Sequence, residues 1–173
     1  MDKGGAWRRF AWGKARAELL PKMPIEVVRR RVKRAGELGI DYKSYAGIRV
    51  ATGRDIVALL FSDNALRVMR DMKIAPERAE KLDDVSGADL LAFVHPPRPA
   101  ARFLRDNPVI SRAGNAPNLQ YSWAETRASI LDLKQGLPAD GTVVIGETAL
   151  EKGWSEIGRL AGYIPAERYF TTT

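Results

Sequence analysis

The sequence predicts an α/β fold: a small, mainly parallel sheet of three to four strands flanked by helices and preceded by a basic helical N-terminal region. Three observations carry this. Short continuous apolar runs stand at 56–61 (IVALLF), 90–94 (LLAFV) and 142–145 (TVVI), as in strands buried on both faces. Stretches with helical apolar spacing separate them, and strands alternating with helices close into a right-handed parallel arrangement. The net charge of +7 is concentrated: residues 1–34 hold eleven Lys or Arg against three acids, while 35–173 hold seventeen against eighteen. The expected organisation is therefore a basic helical region over 1–53, packed on an α/β body over 54–173.

In chain order, the first helix is expected over about 7–20, with Trp7, Phe10, Ala11, Ala15 and Leu19 on one side. Pro24 suits the first turn of a second helix reaching about residue 38, whose apolar stripe is Ile25, Val28, Val32 and Ala35. Gly39 breaks it, Asp41 can cap a third helix running to about residue 52, and Gly53 ends that one. The first strand follows, then helical stretches over about 63–72 and 76–82, then the second strand. A short helix begins near Pro97 and ends by Asn107, and residues 106–121 read as an irregular segment. Ser122 with Glu125 and Thr148 with Glu151 have capping-box spacing and start two further helices. The last of these places Leu150, Trp154, Ile157, Ala161 and Ile164 on one face.

A chain of 173 residues can bury a core without staples, and this one has no cysteine. That excludes disulfides, thiolate metal sites and a cysteine nucleophile, and points to the cytoplasm. No apolar run approaches the roughly 20 residues that cross a bilayer. Lys14, Arg16 and Glu18 interrupt any signal-peptide core.

The charge concentration attracts polyanions: nucleic acid (DNA or RNA), anionic lipid headgroups or an acidic protein. Within it, 35–48 (AGELGIDYKSYAGI) looks like a helix-turn-helix, with Ala35, Leu38, Gly39, Ile40 and Ile48 at the positions that join the two helices. In that reading Tyr42, Lys43, Ser44 and Arg49 face a groove, while Arg29, Arg30, Arg31, Lys33 and Arg34 meet phosphates. Tyr45 stands where a branched aliphatic is commoner, and two core helices joined by a glycine turn produce the same pattern. Arg8 and Arg9, interleaved with Trp7, Phe10 and Trp12, suit base stacking or an anionic surface equally.

A crevice at the carboxyl ends of the strands is the other candidate site. Asp63 and Asn64 follow the first strand, His95 the second and Glu147 the third, with Arg98 and Arg112 nearby for an anionic ligand. His95 would be a general base oriented by Asp63 or Glu147. Helix capping explains several of these residues as well. The sequence lacks G-x-G-x-x-G, a P-loop and a G-x-S-x-G elbow, and offers a single histidine to a metal, so neither a cofactor nor a metal is expected. The leading expectation is a regulatory nucleic-acid-associated protein. The alternatives are a small enzyme or ligand-binding protein using the crevice, and an interaction subunit docking on an acidic partner.

Overall fold

The structure, a computed structural model, describes residues 23–172. The chain divides into two compact units, residues 1–30 and 31–173. Of the first, residues 23–30 are described and begin helix α1 (Ile25–Leu38). The predicted helix over 7–20, with Arg8 and Arg9, lies outside the described residues.

The second unit is an α/β fold. Helix α2 (Tyr42–Thr52) is capped as its sequence demands: Asp41 accepts the Ser44 amide, and Gly53 ends it in the left-handed conformation at φ 69°. Next come β1 (Ala58–Ser62), α3 (Pro76–Asp83), β2 (Asp89–Val94), α4 (Ala100–Asp106), β3 (Arg112–Asn115) and α5 (Trp123–Lys134). The chain closes with β4 (Thr142–Gly146), α6 (Ala149–Ile157), β5 (Gly162–Pro165) and α7 (Ala166–Thr171). Both capping boxes form, with Ser122 on Glu125 and Thr148 on Glu151.

The sheet has five parallel strands in the order β3-β2-β1-β4-β5, two beyond the clear apolar runs. β3 occupies part of the segment predicted to be irregular. The last predicted helix stops at Ile157, and Ile164 lies instead on β5, buried at the sheet edge. Helical spacing runs on through the sequence, but Arg159 takes a left-handed backbone (φ 50°) that stops the helix before the strand begins. The helix predicted over 63–72 is a run of turns, with Arg67 (φ 49°) and Met72 (φ 72°) in the same conformation.

Side-chain alternation divides the interior between the two faces of the sheet. Leu59, Phe61, Ala92, Val143 and Ile145 pack with Leu38, Tyr45, Leu82, Phe103 and Tyr169, which places α2, α3, α4, α7 and the end of α1 on one face. Leu60, Phe93 and Val144 pack with Ile130, Leu133 and Trp154 of α5 and α6 on the other. The crossovers through α3 and α4 thus lie on one face, and those through α5 and α6 on the opposite one. They change sides between β1 and β4, which makes the carboxyl ends of these strands a topological switch point, the place where open α/β sheets form a crevice.

Candidate functional site

The first residues beyond β1, β2 and β4 meet at this end of the sheet. Asp63 leaves β1 with its side chain fully enclosed. Its Oδ1 lies 2.5 Å from His95 Nδ1, and its Oδ2 accepts from Arg98 Nη1 at 2.8 Å. His95 stands two residues beyond Phe93, the register partner of Ser62, so parallel pairing delivers both side chains to one end. A turn in which the Arg98 amide donates to the His95 carbonyl (3.1 Å) returns the guanidinium to Asp63. The Pro96–Pro97 peptide in this turn is cis.

A buried carboxylate needs donors on both oxygens, and Asp63 has a cationic or potentially cationic donor on each. Burial pushes its pKa up, but the bonds to His95 and Arg98 prevail and hold it below the usual carboxylate range. The hydrogen bond to Asp63 raises the His95 pKa above its ordinary value; burial opposes this, and the charges of Asp63 and Glu151 add to it. With Nδ1–H directed at Asp63, the Nε2 lone pair of neutral His95 is left for a ligand. The imidazole stacks on buried Trp154, ring centroids 5.9 Å apart, and a quarter of its side-chain surface stays exposed. An open cavity of about 460 Å³ lies against it, lined by Asn118, Leu119, Gln120 and Leu150, within the usual size for small-molecule sites.

Glu147 is exposed, and the carboxylate that joins β1 to β4 is Glu151. Fully buried, Glu151 accepts the Glu147 amide (2.6 Å) and the Thr148 amide (3.2 Å) on Oε2 and the Asn64 side-chain amide (2.6 Å) on Oε1. Its capping-box spacing is visible in the sequence; its burial at the switch point is not. The carboxylate occupies the amides at the start of α6, where a nucleotide-binding α/β protein would seat a phosphate. Arg112 belongs elsewhere: its Nη1 donates to the carbonyls of Lys134 and Gln135, and it lines a separate cavity of about 510 Å³ beside β3.

The predicted polyanion-binding residues have mixed roles. Arg34 is a structural tie, bonded to Asp55, Glu37 and the carbonyls of Ile56, Ser86 and Gly87. Ser44 donates its hydroxyl to Asp41, and Tyr45 is buried with its hydroxyl on Asp55. Tyr42, Lys43 and Lys33 are exposed, and Arg31 and Arg49 half-buried. In the first unit Arg29 and Arg30 are exposed, and Arg29 pairs with Glu26.

Among the described residues no cluster of three or more His, Asp or Glu side chains is arranged to hold a metal, and no helix is long and apolar enough to cross a membrane. Comparison with protein-family models, curated proteins and solved structures finds no match for this chain.

Proposed function

We propose that the chain is a small-molecule enzyme in which His95 exchanges a proton with substrate through Nε2 while Asp63 holds Nδ1–H and stabilises the imidazolium. The supporting observation is the fully enclosed Asp63 on Nδ1 of a part-exposed histidine whose ring borders a ligand-sized cavity. An acid–base group is most effective with a pKa near the working pH, and the upward shift moves His95 in that direction. Asn118 and Gln120 supply amides, and Leu119 and Leu150 supply apolar surface, to the substrate's non-reacting part. The test is turnover of p-nitrophenyl acetate and p-nitrophenyl phosphate by the full chain and by His95→Gln. General acid–base catalysis predicts a loss on the order of 10²–10⁴ in the variant; equal rates in the two proteins would sink the reading.

A second reading, nucleic-acid association through the basic N-terminal region, is favoured by the excess of eight positive charges in residues 1–34. Exposure of Arg30 and Lys33 is compatible with it. Affinity for duplex DNA or RNA would then fall steeply as salt rises, and reversing the charges of Arg29, Arg30 and Arg31 together would remove it. Binding to one acidic protein without affinity for either nucleic acid would instead favour a docking arm.

A further inference from the structure

The near-neutral charge of the body conceals a segregation. Residues 64–74 and 95–107 hold six Lys or Arg against two acids, while the rest of 35–173 holds eleven against sixteen. Hydrogen bonds set these two segments side by side. Arg98 Nη2 donates to the Val68 carbonyl (3.4 Å) before α4; beyond its end, Asn107 donates its side-chain amide to the Met72 carbonyl (2.8 Å) and accepts the Ile74 amide (3.0 Å). The turns after β1 are thereby laid along α4. Arg67, Arg70 and Lys73 on the turns are exposed, as are Arg102 and Arg105 on α4. Two carboxylates oppose these five cations: Asp106, which Arg102 and Arg105 share, and Asp71, which accepts the Lys73 backbone amide. The band reaches the site through Arg98, whose other nitrogen is on Asp63.

The opposite flank of the His95 cavity is uncharged and aromatic. Residues 113–124 carry no charge at all. Between β3 and α5 the Tyr121 amide donates to the Asn118 carbonyl (3.1 Å), and the turn so formed presents Asn118, Leu119 and Gln120 to the cavity beside His95. The aromatic side chains that follow, Tyr121 and Trp123, are 42% and 71% exposed. Because α4 and α5 cover opposite faces of the sheet, the cations and the aromatics stand on the two sides of His95 at the carboxyl ends of the strands.

Cations that track phosphates, together with exposed rings on which bases stack, are the recognition chemistry of a nucleic-acid single strand. A duplex keeps its base faces stacked inside and offers none to Tyr121 or Trp123. We propose that a single-stranded nucleic acid crosses the carboxyl end of the sheet, its phosphates on Arg67, Arg70, Lys73, Arg102 and Arg105 and its bases on Tyr121 and Trp123, with His95 between them. This gives the crevice reading its substrate class and rests on that reading for the crevice as the binding site, but not on proton transfer at His95 or on the basic N-terminal region.

The test is fluorescence anisotropy of labelled oligo-dT and oligo-U of about 12 nucleotides, and of a duplex of the same length, with the full chain at a series of salt concentrations. At least one of the single strands should bind, and more tightly than the duplex. Reversing Arg67, Arg70 and Arg102 to Glu should flatten the slope of log affinity against log salt by about 2, since each phosphate contact contributes about 0.7 for single strands. Changing the same three residues to Lys keeps the charge and should retain the binding. Trp123→Ala should weaken it by about 5- to 150-fold, the loss of one stacked base, and leave the salt slope unchanged. Absence of binding, preference for the duplex, or an affinity unaltered by the Glu substitutions or by Trp123→Ala overturns the proposal. Binding abolished by reversing Arg29, Arg30 and Arg31 but indifferent to Arg67, Arg70 and Arg102 would overturn it in favour of the N-terminal region. His95→Gln should bind as the unmodified chain does, so binding in a chain without turnover would defeat proton transfer at His95 while supporting the surface.

Discussion

Asp63 and His95, 32 residues apart in sequence, share a 2.5 Å hydrogen bond because β1 and β2 are parallel neighbours with Ser62 opposite Phe93. The strand register sets this contact. A slip of one residue would turn every side chain of β2 to the opposite face and carry the buried Leu90, Ala92 and Val94 out of their cluster. The apolar pattern that fixes the core thereby fixes the imidazole as well.

Asp63→Asn keeps the shape of the side chain and removes its charge. Arg98 and His95 both lose their anionic partner, and the His95 pKa should fall from its raised position toward or below the ordinary 6.5. Breaking one side of a buried pair costs about 3–5 kcal/mol, here reduced by the partial exposure of both cations. Because the chain has a single histidine, one imidazole resonance followed against pH reads the effect without assignment. An unchanged titration in the variant would show that Asp63 does not set the charge of His95.

The same pair shapes stability against pH. His95 has a raised folded pKa, so its contribution is complete below the unfolded value near 6.5 and disappears as pH rises through the folded value. Asp63 has a lowered folded pKa, so its contribution is present above the unfolded value near 3.8 and disappears as pH falls through the folded one. Urea denaturation at a series of pH values should show a plateau between these limits and a decline on each side. In His95→Gln the decline on the alkaline side of 6.5 should flatten; a slope as steep as in the unmodified chain would assign it to another group.

Arg34 separates structural charge from binding charge in the basic region. Its guanidinium joins α1 to Asp55 and to the carbonyls before β1 and β2. Arg34→Gln should therefore destabilise the fold by about 1–2 kcal/mol, since a part-buried charged network whose carboxylates are a third or more exposed is broken on one side. Nucleic-acid affinity measured on the folded fraction should scarcely change. A variant of unaltered stability and reduced affinity would reverse this assignment.

The parts of the fold legible in the sequence are those where local pattern and tertiary environment agree. The runs at β1, β2 and β4 are apolar because both faces of the central strands are covered, and the capping residues act within a single turn. β3 escapes because its four residues, Arg112 to Asn115, lie at the sheet edge, half-buried or exposed, and carry no apolar run. β5 escapes because Ile164 prolongs the helical spacing of Trp154 and Ile157. For the site, the strand-end rule finds Asp63 and His95 but selects Glu147 over Glu151. Position in sequence reveals which carboxylate follows β4, whereas the close approach of β1 to β4 decides which one is buried.

Gly146 ends β4 where the Glu151 carboxylate closes over it. A Cβ at this position would stand 2.8 Å from Glu151 Oε2 and 2.9 Å from Glu151 Cβ. Gly146→Ala should force the carboxylate away from the Glu147 and Thr148 amides and from Asn64, loosening the start of α6 at a cost of about 1–3 kcal/mol. Glu151→Ala should also destabilise, because it leaves the same amides without their acceptor. In the double variant the methyl no longer meets the carboxylate, so the loss should be smaller than the two single losses added together. Urea denaturation of the four proteins measures that coupling. Additive losses would mean that the methyl group presses instead on the Cβ of residue 151, 2.9 Å away and kept in alanine, or on Tyr163 at 3.1 Å, and that the Glu151 carboxylate is not what requires glycine at the end of the strand.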